Sequence, residues 1–219
     1  MTVRKDLDEG LEQLRTLLME MGGRVESSLE QAMTSLVNTD TVLAKQIIDK
    51  DMELNRIEEQ ISEIGAKLIA TQQPVAKDLR SVLIAFRMAN DLERMGDLSV
   101  DIAKVTVRME GQPLIKPLID LPRMAEISQT MIHESIQSYI REDVDLAYKM
   151  AKDDDTVDAL YSQIFRELFS LMVENPKTIS QAMLLSFVGR YIERIADYAT
   201  NIGENAVYLV TGKRPDLNR

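Results

Sequence analysis

The stretch YIERIADYATNIGE (residues 191–204) has a shorter echo in DLERMGD (residues 91–97), where Glu-Arg and then Asp fall at the same spacing. Glu93, Arg94, Asp97 and Ile102 match Glu193, Arg194, Asp197 and Ile202 at an offset of 100, and Asp51, Asn55, Ile61 and Leu68 match Asp154, Asp158, Ile164 and Leu171 at an offset of 103. Self-similarity at a fixed period marks a duplicated unit, and the three-residue change in offset fits a turn of altered length.

The duplicated unit reads as helical. Leu7, Leu11, Leu14, Leu18, Met21, Val25, Leu29, Ala32 and Leu36 recur in steps of three and four, which predicts one long amphipathic helix. Cap chemistry in NTDT (38–41) precedes a second helix marked by Ile47, Leu54, Ile57, Ile61, Ile64 and Leu68. A third helix follows Pro74 and runs to Met109. The Pro-rich residues 110–122 read as a linker, after which the plan repeats: Met124 to Tyr139, Val144 to Leu171, and a last helix capped by NPKT (175–178). The expectation is an all-α chain of six helices in two tandem, spectrin-like up-down-up three-helix bundles. The first bundle would span 1–109, the second 123–212, and a tail 213–219.

Glu93, Asp97 and Asp101 are four apart and stack on one helix face, as do Glu193, Asp197 and Asn201. Asp154 with Asp158, and Asp51 with Asn55, form shorter rows on the preceding helix of each half. Like charges at this spacing repel, and a cation between facing rows would relieve the repulsion. All-oxygen ligands suit Mg, Ca, Mn or ferric iron, with Zn also compatible. The alternative is that Arg94, three residues from both Asp91 and Asp97, and Arg194, three from Asp197, satisfy the carboxylates as ordinary surface ion pairs. Glu193 lies about half a turn from the stripe of Leu184, Val188, Tyr191, Ile195, Ile202 and Ala206, so the rows are expected on an open surface. Arg80, Arg87, Arg94 and Arg108 form a second, basic row, read as a solvated face that could also grip an acidic partner or phosphate.

Composition removes other functions. Acidic residues outnumber basic ones 36 to 26, a net charge of −10 that disfavours nucleic acid. There is no Cys, and the single His133 sits away from the acidic rows, which excludes thiolate and imidazole-rich sites. No apolar run is long enough to span a bilayer and no signal core opens the chain, so a cytoplasmic protein without direct membrane insertion is expected. Phosphate loops, Ser/His/Asp arrangements and dinucleotide fingerprints are missing, which argues against an enzyme. A metal-storing or hydrolytic bundle, or a plain helical scaffold, are the competing readings.

With DLRSVLIAFRMANDLERMGDLSVDIA (78–103) in the first half and GRYIERIADYATNIGE (189–204) in the second, the chain resembles the PhoU family over essentially its whole length. The resemblance implies a cytoplasmic, non-enzymatic negative regulator of phosphate uptake and phosphate-starvation signalling. Its implied partners are the ATPase subunit of a phosphate ABC transporter, a phosphate-sensing histidine kinase and a second copy of itself as a homodimer. It also implies multinuclear iron or zinc at the acidic rows of some members. Carried over by position, Glu93, Asp97 and Asp101 serve one site and Glu193, Asp197 and Asn201 the other, faced by Asp51 with Asn55 and by Asp154 with Asp158. Asn55 and Asn201 depart from a strict carboxylate pattern, and an uncharged amide oxygen would make the two halves unequal.

Overall fold

The computed structural model describes residues 2–50, 52–109 and 112–217. Its helices are α1 (Thr2–Val37), α2 (Thr41–Asp49), α3 (Met52–Gln72), α4 (Ala76–Arg108), α5 (Asp120–Arg141), α6 (Val144–Glu174) and α7 (Ile179–Thr211), with a single 3-10 turn at Pro176–Thr178. No strand occurs among the described residues, so the chain is all-α as its periodicity requires. In the first half α1 packs against α2, α3 and α4; in the second, α5 packs against α6 and α7.

The apolar stripe of α1 is buried as its spacing demands: Leu14, Leu18, Met21, Val25, Leu29, Ala32 and Leu36 are all withdrawn from solvent. Each large side chain buried this way contributes about 1.5–3 kcal/mol. Turns stop the helices by local chemistry. Asp40 accepts hydrogen bonds from the amides of Val42 and Leu43 at the start of α2, and Asp143 accepts one from Leu146 at the start of α6. The residues just before them, Thr39 and Glu142, both adopt positive φ, at 51° and 54°. These two turns are again 103 residues apart, so the duplication extends to backbone conformation.

Three features differ from the reading above. The second helix comes in two pieces, α2 and α3. The end of α2 tightens, with the Lys50 amide donating to Ile47 and the Glu53 amide donating back to Lys50, where Asp49 is a poor residue for a helix C-terminus. The equivalent α6 runs on unbroken. Secondly, α5 begins at Asp120, inside the stretch read as linker, because Pro122 in a first turn lacks only an N–H that would have no intrahelical partner. Thirdly, residues 213–217, read as a tail, lie back on α7: the Leu217 amide donates to Glu204 and Arg214 donates to Asn205.

The halves are not independent beads. α4 packs along α7, α1 packs along α5, and the buried apolar residues of both halves form one continuous cluster. α4 and α7 are therefore enclosed on several sides, which explains why buried positions occur almost all round them. Small residues permit the approach, among them Ala85, Ala89 and Ala103 on α4 and Ala196, Ala199 and Ala206 on α7. Several buried hydroxyls are satisfied inside their own helices, as when Ser99 donates to Met95 and Thr200 to Ala196, while Thr106 of α4 pairs with Ser35 of α1 at 3.2 Å. At the rim, Glu142 accepts from Lys77 at 2.6 Å and lies 3.7 Å from Arg15, tying the α5–α6 turn to α4 and α1.

Candidate functional site

In the second half α6 and α7 run side by side and bring Asp154 and Asp158 towards Glu193 and Asp197. Asp154 is 8% exposed, while Asp158 points outward. Burial is the main reason the Asp154 carboxyl is pushed up to about 7, and the neighbouring charges of Asp158, Asp197 and Glu193 push the same way. Glu193 is raised by burial and by Asp197 and Asp158, against the opposing charge of Arg190, with which it is ion-paired. Asp197 is raised by burial and by Asp158, opposed by Arg190 and Arg194. Asn201 completes the row, half-buried and one turn further on.

The first half is built differently. Asp51 lies outside the described residues, and Asn55 is exposed on α3. Arg94 is 3.4 Å from Glu93 and donates to Asp97 at 3.2 Å, and Lys104 donates to Asp101 at 2.8 Å. Asn55, Glu58, Glu59, Asn90, Glu93 and Arg94 line an open groove of about 230 Å³. Local cations thus balance the first row, whereas four carboxylates in the second row press on one another with less compensation.

The expectation of an open surface needs correction. The side chains of Glu93 and Glu193 are only 19% and 13% exposed, because a neighbouring helix packs along the flank of each row. A wheel drawn on α7 alone cannot register α6. The ion-pair reading is met in part: Arg94 takes Glu93 and Asp97 but not Asp91, and Arg194 donates to the Tyr198 hydroxyl instead of Asp197. Arg190, Glu58 and Glu59 were not singled out from sequence, although Arg190 at three residues before Glu193 carried the usual helix-pair spacing. Asp91 was passed over as a surface partner of Arg94; it is largely buried beside α7, pushed up to about 7 by burial, with Arg214 and Arg87 pulling it back down. His133 lies on the surface of α5 with Nδ1 3.4 Å from Glu26 of α1, remote from both rows.

The second row fits a hard cation in its donor set. Asp154 Oδ1 and Glu193 Oε2 are buried without a hydrogen-bond partner, a costly arrangement that a cation would relieve. Among the described residues, no three carboxylate or imidazole groups already stand at the mutual spacing of a metal cage. No helix among them is long and apolar enough to cross a membrane.

Comparison with known proteins places this architecture. The PhoU domain model matches twice, over residues 18–106 and 121–206. The chain is 38% identical to the phosphate-specific transport system accessory protein PhoU homolog of Clostridium acetobutylicum, over 98% of this chain and 99% of that one. It is 36% identical to the PhoU accessory protein of Escherichia coli over 93% of this chain and 84% of that one. Among solved structures, PhoU from Pseudomonas aeruginosa superposes with a TM-score of 0.90 at 34% identity, covering 94% of this chain and 99% of that one. The phosphate transport system regulatory protein PhoU from Streptococcus pneumoniae superposes at 0.89 with 29% identity, covering 96% and 99%. A duplicated three-helix unit, the Glu-Arg-x-x-Asp row in each copy and near-complete coverage by these relatives agree, and the chain belongs to the PhoU family.

Proposed function

We propose that this protein is a non-enzymatic regulator of phosphate uptake that also restrains phosphate-starvation signalling. It acts through protein contacts in the cytoplasm, with the ATPase subunit of the phosphate ABC transporter and a phosphate-sensing histidine kinase as partners, and as a homodimer. The observation that carries this reading is the match, along nearly the whole chain, to relatives named as accessory proteins of the phosphate-specific transport system. The titratable groups gathered on α6 and α7 are mutually repelling carboxylates, a set suited to holding a cation.

Asp154, Asp158, Glu193 and Asp197 would hold a metal ion in the second half, and Glu93, Asp97 and Asp101 with Asn55 a weaker one in the first. Iron or zinc is proposed from the family, with Mg, Mn and Ca as alternatives. The metal would supply positive charge to a row that lacks it. What the chain does by itself is hold Asp154, Glu193 and Asp197 partly desolvated beside the charge of Asp158, so that binding of a cation would release their repulsion.

The test is deletion of the gene in its own organism, with paralogues excluded, followed by assay of phosphate uptake and alkaline phosphatase expression at high phosphate. The regulatory reading expects both to rise and to be restored by the wild-type chain; unchanged values contradict it.

A further inference from the structure

The outer face of α6 and α7 next to their shared turn is apolar. Phe165, Phe169 and Val173 stand four apart on α6, and Ile179, Met183 and Phe187 four apart on α7, so each set forms a stripe along its helix. All six are 41–69% exposed, although the core beneath them is closed. The two helices are antiparallel, with Tyr161 against Gly189. Tyr161 lies beside Phe165, and Tyr191 stacks on Phe187 with ring centroids 6.4 Å apart. In the first repeat Ser62, Ala66, Ala70 and Arg87 stand where the second has Phe165, Phe169, Val173 and Phe187. The duplicated fold therefore does not require this face.

Area, shape and charge decide what covers it. The six residues together expose roughly 600 Å², the upper end for a patch on a monomer and most of the ~800 Å² that each partner of a stable complex buries. We propose that a second copy of this chain covers it, the two α6–α7 faces meeting about a two-fold axis that crosses the helices at the level of Phe169 and Met183. This rests on the homodimer reading above and assigns that dimer its face. An axis across the helices lays each α6 antiparallel to α6 of the other copy, and each α7 likewise. The bulky end, Phe165 with Phe187, then meets the slimmer end, Val173 with Ile179, so that large side chains fill the space left by small ones. The same operation carries Lys177, exposed in the turn after α6, to about the level of Tyr161, within one helical turn of Asp158 in the other copy's acidic row. An axis along the helices would instead set the aromatic end on its like and Lys177 against Lys177. Shape and charge thus choose the same orientation.

The test is sedimentation equilibrium of the whole chain in chelator, from about 0.1 to 100 µM. A reversible dimer is expected. Phe169→Ser and Phe187→Ser should each weaken it at least about 30-fold, as truncation of a central aromatic anchor does, with helix content unchanged because both side chains lie outside the core. Leu83→Ser, at the exposed position of the first repeat that matches Met183, should change it less than about threefold. A dimer untouched by both phenylalanine variants overturns the face and leaves the homodimer standing; a wild-type chain that stays monomeric throughout overturns both. Orientation is read by cross-linking, since the chain has no cysteine of its own. In oxidised mixtures of single variants, Phe165→Cys should join Val173→Cys; joining Phe187→Cys instead overturns the antiparallel arrangement.

Discussion

Asp154 is the residue where burial and charge conflict most. Its unfolded-state carboxyl titrates near 3.9 and its folded-state one at about 7, so between roughly pH 4 and 7 the folded chain binds more protons than the unfolded chain. Stability contributed by this group therefore falls as pH rises through that window, and above it the full penalty persists. In chelator, Asp154→Asn should raise stability near pH 7.5 by about 1–2 kcal/mol, after allowance for solvent screening, and flatten the pH dependence. Urea melts at several pH values read this directly; an unstabilised variant would mean that Asp154 is already compensated. Added Mn²⁺ or Zn²⁺ should stabilise the wild type and lose most of its effect in the variant, because the row then has a cation to satisfy. At this scale, spacing along two adjacent helices is enough to bring the charges of Glu193, Asp197 and Asp158 to bear on Asp154. Their burial was not legible, because a stripe drawn on one helix omits the neighbour that covers its flank.

At the scale of elements, the turn at Thr39 and Asp40 separates two effects within adjacent residues. Thr39 holds φ at 51°, a conformation in which a β-branched side chain is strained. Thr39→Asn should stabilise by about 1 kcal/mol, seen as a rise of about 2–4 °C in Tm. Asp40→Ala should cost about 1 kcal/mol, since one carboxylate oxygen accepts from both the Val42 and Leu43 amides at 2.9 Å. Thermal melts of the two single variants should move in opposite directions, and a common direction would refute the capping account. Helix positions were readable because the apolar steps of α1 and α7 are long and regular. The interruption after Asp49 was not, since Leu54 and Ile57 continue the apolar phase of Ile47 across it. The return of residues 213–217 depends on single contacts from Arg214 and Leu217 that leave no periodic trace.

At the scale of the whole molecule, the shared core makes a clear thermodynamic demand. All six tyrosines, from Tyr139 to Tyr208, lie in the second half, so tyrosine fluorescence reports that half alone while far-ultraviolet circular dichroism reports both. Because α4 packs on α7 and α1 on α5, the two signals should give one coincident denaturant midpoint. Two separated transitions would show that the repeats unfold independently. The most direct measurement of the regulatory account is recovery of the tagged chain from phosphate-replete cells after mild crosslinking, with the phosphate-transporter ATPase subunit quantified against a tag-only control. The account predicts enrichment of the ATPase subunit that drops in phosphate-starved cells. Recovery no greater than the control under both conditions would contradict it.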